Sequence, residues 1–166
     1  MSTMQNLKDA FAGESQANRR YLAFAKKAEQ DGFPQVAKLF RAVAEAETVH
    51  ALRHLRVMGA VKGTAENLQA AMSGEDYEVK SMYPGMISSA EAEGNRQAQY
   101  SFADAMAVEQ EHFAYYAAAL EAVKAGRDIA ATPMHVCSVC GHTVLGDAPD
   151  QCPVCKAKKE KFLEIK

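Results

Sequence analysis

The 166-residue sequence contains no tryptophan, and none of its first 136 residues is a cysteine. It has no apolar run approaching the ~20 residues that a membrane-spanning helix requires, and its amino terminus lacks the basic-then-apolar layout of an export signal. Its 19 basic and 21 acidic residues are interspersed, which disfavours nucleic acid and membranes as partners. No G-x-G-x-x-G nucleotide-binding pattern is present. These absences predict a cytoplasmic protein that binds neither nucleic acid nor membrane.

The first 125 residues predict long helices. Residues 4–125 are rich in Ala, Glu, Gln, Lys and Leu, which have high helix propensity. The breaks predict four helices, at 4–31, 34–59, 64–93 and 95–125. We expect Thr64 to cap the third helix, Pro84 to kink it and Gly126 to end the fourth.

The composition changes between residues 126 and 134. All four cysteines and two of the five prolines follow this point, in short, turn-rich pieces. The sequence therefore predicts a mainly α protein in two parts, a four-helix bundle at 1–130 and a small cysteine-containing domain at 131–166. The bundle itself has the pattern of a duplicated helix pair.

Each predicted helix places ionisable residues within its own apolar stripe, where spacings of three and four residues define the inward face. In the second helix, for example, the stripe runs through Val36, Leu39 and Val43 and then continues with Glu47 and His50. The other stripes contain Glu14 in the first helix, Glu75 and Glu78 in the third, and Glu109 and His112 in the fourth.

These ionisable residues fall at one level of the predicted bundle. If the helices form antiparallel hairpins turning at Gly32 and Gly94, Glu14 and His50 each lie 18 residues from their turn. The ionisable residues of the third and fourth helices lie 15 to 19 residues from Gly94. At a rise of ~1.5 Å per residue, this is a similar height. Glu91 lies at the turn and is excluded. Buried carboxylates must be neutralised or paired, and too few basic residues share this level.

Two Glu-x-x-His motifs, at Glu47 to His50 and Glu109 to His112, indicate how the charge is neutralised. Such a motif alone is usually a solvated helix face. Two of them, with further acids at the same level, predict a pair of metal ions in a ferritin-like bundle. Mixed oxygen and nitrogen ligands suit iron or manganese better than zinc alone. Tyr21 and Tyr83 are more typical of core residues, although their position also suits hydrogen bonds to the ligands.

The cysteines form two C-x-x-C motifs separated by eleven residues, which predicts one tetrahedral metal site: Cys137, Cys140, Cys152 and Cys155. Zinc is the commonest occupant of such a site, and a one-electron iron centre is the alternative. A neighbouring redox-active metal pair favours iron. His135 and His142 flank the cysteines and are interpreted as loop residues.

In their order and combination, "AFAGESQANRRY", "AEAETVH", "GEDYEVKSMYP", "VEQEH" and "CSVCGHTVLGDAPDQCPVC" resemble the rubrerythrin family over essentially the whole chain. The resemblance implies a ferritin-like di-iron bundle followed by a rubredoxin-like Fe(Cys)4 domain. It also implies that His50 and Glu78 are alternative ligands to one iron, and that the constant ligands are Glu14, Glu47, Glu75, Glu109 and His112. Zinc is an alternative occupant of either site.

The same resemblance implies a non-haem peroxidase that reduces hydrogen peroxide to water. Electrons would arrive singly through the Fe(Cys)4 centre, from rubredoxin or an NAD(P)H-dependent reductase. Glu47, His50, Glu78 and Glu109 would serve the reaction, with Tyr21 or Tyr83 managing protons. A homodimer is expected, head-to-tail or with exchanged helix pairs. The alternatives are a ferroxidase that handles iron without a peroxidase role, and a structural bundle with a zinc ribbon. Lys156 departs from the pattern, because glycine often occupies that position.

Overall fold

The computed structural model describes residues 2–166, which form five α-helices followed by three short strands. The helices are α1 (Thr3–Gln30), α2 (Pro34–Val57), α3 (Thr64–Tyr77), α4 (Tyr83–Ala92) and α5 (Arg96–Lys124). The chain divides into a first unit that ends at Lys62 and a second unit, Gly63–Lys166. Among residues 2–166, none of the helices combines the length and the apolar character needed to cross a bilayer.

The first unit is a hairpin of α1 and α2. The Ser2 side chain accepts a hydrogen bond from the Gln5 amide and so caps α1. Gly32, with φ of +82°, makes the turn, and Pro34 begins α2, where its missing amide hydrogen costs no helical hydrogen bond. Glycine and proline therefore set the hairpin geometry that the sequence predicted.

The two helices of the hairpin bury alanines. In α2 the buried residues are Ala37, Ala44 and Ala51, spaced seven apart, so they share one helix face. The buried apolar residues of α1 are also alanines: Ala17, Ala25 and Ala28. The larger residues predicted to face inward, Val36, Leu39 and Val43, are exposed by 45%, 62% and 36%. Periodicity identifies an apolar face but not its partner, and α1 packs on the alanine face instead.

The second unit begins with the predicted third helix, which divides into two. Gly63 rather than Thr64 precedes its first turn, and the Gly63 amide donates to the Glu66 carboxylate at 3.3 Å. Gly63 is the N-cap and Glu66 accepts from its amide, so the predicted threonine cap is wrong by one residue. Gly126, with φ of +69°, ends α5 as expected.

A π-helical turn at Glu78–Met82 separates α3 from α4, where the amide of Tyr83 donates to the carbonyl of Glu78. The sequence predicted a kink from Pro84. Proline lacks an amide hydrogen and its ring clashes with the carbonyl four residues earlier, and the wider π turn directly before it avoids this clash. The turn begins at one of the predicted ligands, Glu78.

The carboxyl-terminal part of the second unit is a three-stranded antiparallel sheet in the order β2-β1-β3. The strands are β1 (Met134–Cys137), β2 (Thr143–Leu145) and β3 (Phe162–Ile165). We call residues 134–165 the cysteine module. The fold class predicted from the sequence, mainly α with a small carboxyl-terminal cysteine domain, is confirmed.

Candidate metal centres

The first unit brings together Glu14 from α1 with Glu47 and His50 from α2. One ligand atom from each lies within 4.8 Å of the others. Glu47 Oε2 is 2.9 Å from His50 Nδ1, because residues three apart share one helix face. The Glu47 side chain is 14% exposed, whereas that of His50 is 54% exposed. We call these three residues the first half-site.

Asn18, one helical turn after Glu14, holds the two helices of this unit together. It is buried, and its Nδ2 donates to the carbonyl of Ala44 at 2.7 Å and to Thr48 Oγ1 at 2.9 Å. Its Oδ1 accepts no hydrogen bond from the described residues. The side chain is therefore needed as a donor to the Ala44 carbonyl, and a carboxylate would lose this contact.

We expect Asn18→Asp to destabilise the metal-free chain by about 1–3 kcal/mol, the cost of leaving buried acceptors unpaired. Urea denaturation followed by helical circular dichroism measures this. Gln16→Glu makes the same amide-to-carboxylate change at an exposed position of α1 and should alter stability by less than about 0.5 kcal/mol. Equal effects of the two substitutions would contradict this role for Asn18.

The second half-site repeats this arrangement in the second unit. Glu75 from α3, with Glu109 and His112 from α5, again places one ligand atom each within 4.8 Å. Glu109 Oε2 is 2.6 Å from His112 Nδ1. The same Glu-to-His contact therefore recurs 62 residues further along the chain. Glu78 lies outside this trio, at the start of the π turn.

The second half-site carries more negative charge than its surroundings neutralise. Burial raises the pKa of Glu75, and the charge of Glu109 raises it further. Burial and Glu109 also raise the pKa of Glu78. The pKa of Tyr83 is raised by burial and then by Glu78. Opposing charge would reverse each of these effects, so the residues present fit a bound cation.

The four cysteines of the cysteine module form the third site. Their sulfurs all lie within 4.8 Å of one another, with 3.7 Å between Cys137 and Cys155 and 3.6 Å between Cys140 and Cys152. A tetrahedral metal with bonds of about 2.3 Å to sulfur separates its ligands by about 3.8 Å. The sulfurs thus already have the spacing of a tetrahedral site.

Backbone amides surround these sulfurs. Burial alone would raise the pKa of the Cys137 thiol, but amides of Cys140 and Val139 donate to it and lower its pKa below the ordinary value. Burial raises the pKa of Cys140 and of Cys155. Burial therefore disfavours the thiolates of Cys140 and Cys155, whereas a bound cation would favour them.

Comparison with known proteins decides the family. The model of the family described as rubrerythrin matches residues 5–120, and that of the rubrerythrin rubredoxin-like domain matches residues 135–163. The chain belongs to the rubrerythrin family. Rubrerythrin-2 of Clostridium acetobutylicum is 35% identical, over 96% of this chain and 95% of its own. Nigerythrin of Nitratidesulfovibrio vulgaris is 37% identical, over 97% of this chain and 85% of its own.

Solved structures agree with this family. Nigerythrin in a mixed-valence state has a TM-score of 0.58 and 34% identity, with 99% of this chain and 87% of that chain covered. Its fully reduced, all-ferrous state gives the same TM-score at 33% identity and the same coverage. This rubrerythrin-family chain therefore carries the ligand groups of a di-iron centre and a rubredoxin-like four-cysteine iron site.

The two tyrosines singled out from the sequence lie in different surroundings. Tyr21 is in an aromatic cluster, with ring centroids 6.3 Å from Phe24 and 6.2 Å from Phe40. The ring centroid of Tyr83 lies 6.3 Å from that of Phe102, and the negative charges of the nearby carboxylates help to raise its pKa. The raised pKa of Tyr83 associates it with the carboxylates.

Lys156, the departure from the usual glycine, has a φ of +63°. Its amide donates to the carbonyl of Cys152 at 3.0 Å, and its Nζ donates to the carbonyl of Pro153 at 2.7 Å. A left-handed backbone costs a residue with a Cβ roughly 1–2 kcal/mol. The second C-x-x-C turn therefore keeps the conformation that glycine would adopt without strain.

We expect Lys156→Gly to stabilise the cysteine module by about 1 kcal/mol, because relief of the backbone exceeds the loss of one exposed hydrogen bond. Amide hydrogen exchange at Cys152, whose amide bonds to Ala157, would report the gain. Lys158, with φ of −74°, is the matched control, and Lys158→Gly should not stabilise. A destabilised Lys156→Gly module would contradict the expectation.

Sequence reasoning missed the contacts by which the cysteine module meets α5. His112 Nε2 lies 2.9 Å from Thr143 Oγ1, and the Tyr115 hydroxyl donates to the Thr143 carbonyl at 3.0 Å. His142, interpreted as a loop residue, is buried, with Nδ1 2.5 Å from Glu111 Oε2. No periodicity or motif marks such contacts, since they join residues about 30 positions apart.

Proposed function

We propose that this protein is a non-haem di-iron peroxidase that reduces hydrogen peroxide to water. One observation carries the proposal: a repeated Glu-Glu-His cluster occurs in the same chain as a four-cysteine site, and Thr143 of the cysteine module contacts His112 of one cluster. A carboxylate cluster alone would serve iron binding. The adjoining four-cysteine site adds a one-electron centre, which a peroxidase needs for its re-reduction.

In this proposal both half-sites, together with Glu78, bind the two irons, and the four cysteines bind the third. When bound, a reduced iron pair supplies two electrons for cleavage of the peroxide O–O bond. The protein must then deliver two protons for each peroxide, so that two waters are released. The carboxylates of Glu47 and Glu109 orient the adjacent imidazoles through contacts of 2.9 and 2.6 Å.

Tyr83 and Glu78 are the proposed proton-handling groups. The raised pKa of Tyr83 keeps its hydroxyl protonated at neutral pH, so that it can donate a hydrogen bond or a proton. Glu78 is proposed to exchange protons in the state in which His50 replaces it as an iron ligand. Tyr21, in its aromatic cluster, is proposed only as a hydrogen-bond donor to the first half-site.

Electrons are proposed to enter through the four-cysteine iron, from rubredoxin or an NAD(P)H-dependent reductase. In the second unit, the loop after Cys140 reaches His112, which supports transfer between the two centres of one chain.

We further propose a homodimer, because Val36, Leu39 and Val43 continue the helix face of Glu47 and His50 as exposed apolar residues. Leu39→Glu should then shift the sedimentation coefficient towards a monomer.

Metal analysis with stopped-flow spectroscopy tests the proposed function. The anaerobically reduced full-length protein should contain three irons per chain, and stoichiometric peroxide should oxidise both chromophores faster than air does. Rapid oxygen consumption with indifference to peroxide would replace the proposal by a ferroxidase or iron-handling role. A colourless four-cysteine site filled with zinc would instead favour the structural interpretation.

A further inference from the structure

The two Glu-x-x-His pairs differ in what holds the outer nitrogen of the imidazole. In both pairs Nδ1 faces the glutamate three residues earlier. Nε2 of His112 meets Thr143 Oγ1 at 2.9 Å, whereas His50 Nε2 has no hydrogen-bond partner among the residues that the structure describes. The His50 side chain is 54% exposed and that of His112 is 25% exposed. Thr143 therefore gives the Nε2 atom of His112 a hydrogen-bond partner, which the Glu-x-x-His motif itself does not provide.

The direction of the hydrogen bonds at Thr143 fixes the proton of His112. The Thr143 hydroxyl lies 3.1 Å from the carbonyl of Gly141, which can only accept, so the single hydroxyl proton points there. Towards His112 the hydroxyl oxygen can then only accept. Nε2 of His112 therefore carries a proton and donates to Thr143, so Nδ1, 2.6 Å from Glu109 Oε2, is the nitrogen that remains for a metal. Metal ligation through Nδ1 needs this tautomer.

Thr143 is itself held from three directions. It is paired with Val136 in the β1-β2 ladder. Its carbonyl accepts the hydrogen bond from Tyr115, and the preceding residue, His142, contacts Glu111 on the same helix. The hydroxyl is thus fixed relative to α5 and can fix the imidazole ring in turn.

The same short loop also reaches the four-cysteine site. The amide of His142 donates to the sulfur of Cys140, and Thr143 is the next residue. One dipeptide therefore contacts a cysteine sulfur at one end and His112 at the other. A well-ordered four-cysteine site therefore helps to keep Thr143 in the position from which it contacts His112.

We propose that Thr143 is a positioning residue for the metal ligand His112, selecting its Nε2–H tautomer and fixing its ring. The inference rests on the proposed function only in treating His112 as a metal ligand. It does not require the chain to reduce peroxide, and its readouts are the state of the imidazole and the affinity for metal.

The test uses the full-length chain with zinc as the diamagnetic probe. Zinc first fills the four-cysteine site, and the carboxylate-histidine sites are then titrated in competition with a chromophoric chelator. Nitrogen-15 spectra of the histidine rings report whether His112 keeps a slowly exchanging Nε2 proton. We expect Thr143→Val to lose this proton signal and to bind zinc about 10–100-fold more weakly at the second half-site, the usual effect of losing a partner to a ligating histidine.

Two further variants separate positioning from folding. Thr143→Ser keeps the hydroxyl and should restore both readouts. Tyr115→Phe removes one of the three contacts that hold Thr143 but leaves the Thr143 hydroxyl, and should weaken zinc binding much less than Thr143→Val does. Unchanged zinc affinity in Thr143→Val overturns the proposal, and so does an equal loss in Tyr115→Phe. A chain that positions His112 in this way but ignores peroxide would refute the proposed function alone.

Discussion

Glu109→Ala is expected to reduce peroxide more than about 100-fold more slowly than the parent protein while leaving the metal-free chain at least as stable. Residues that merely support a metal ligand already contribute 10–100-fold to affinity or activity, so removal of a proposed ligand should exceed that range. In the metal-free protein the same carboxylate is unfavourable, because its charge raises the pKa of both Glu75 and Glu78. Function and stability should therefore change in opposite directions.

The measurement combines iron content, single-turnover oxidation by peroxide and urea denaturation of the metal-free chain. Glu121→Ala is the matched control, since it removes the same residue type from the same helix at a 75% exposed position. The control should retain both iron and activity. Peroxide reduction at the parent rate in Glu109→Ala would refute the proposed role of this residue.

The pH dependence of stability provides a second readout of the same substitution. Glu75 and Glu78 bind protons more tightly in the folded than in the unfolded chain, because burial and Glu109 raise their pKa values above the ordinary 4.5. The folded state then holds more protons in the window above pH 4.5, so the metal-free chain loses stability as pH rises through it. Glu109→Ala should flatten that slope. An unchanged slope would show that burial alone raises the two values.

Local chemistry explains which features could be predicted from the sequence. The helix ends follow from glycine and proline at 32, 34 and 126, whose backbone preferences act without help from distant residues. The trios around Glu47 and Glu109 could be predicted because residues three apart share a helix face. The third member of each trio follows from the number of residues between it and the hairpin turn. The cysteine site follows from spacing alone. All of these depend on short segments.

Packing choices between segments could not be predicted in the same way. Val36 and Leu39 mark an apolar face, yet the alanines of α2 pack on α1, because both faces have helical periodicity. The π turn at Glu78 requires knowledge of how a helix adapts to Pro84. The contact of Thr143 with His112 joins residues 31 positions apart through a single hydroxyl, which no composition or period reveals.

Removal of metal from the four-cysteine site is expected to unfold the cysteine module while the helices persist. Its buried residues are few and include the ligands themselves: Cys137, Cys152, His142 and Ala148. Three strands of three or four residues cannot bury enough apolar surface to fold alone. Structural zinc sites contribute about 10–16 kcal/mol, so the metal is the main stabilising element here.

Cys152→Ala provides the corresponding variant, and hydrogen exchange provides the measurement. The amides of Cys137 and Gly146, which bond to the carbonyls of His142 and Pro133, should lose protection, whereas helical circular dichroism should change little. Val139→Ala, at a 60% exposed position between two ligands, is the control and should retain protection.

Because Thr143 lies in this module, Cys152→Ala should also weaken zinc binding at the second half-site about as much as Thr143→Val does. Binding at the two sites is then reciprocal, as linkage requires. A metal-free module that keeps its protected amides would show that its fold, and its hold on His112, do not depend on the four cysteines.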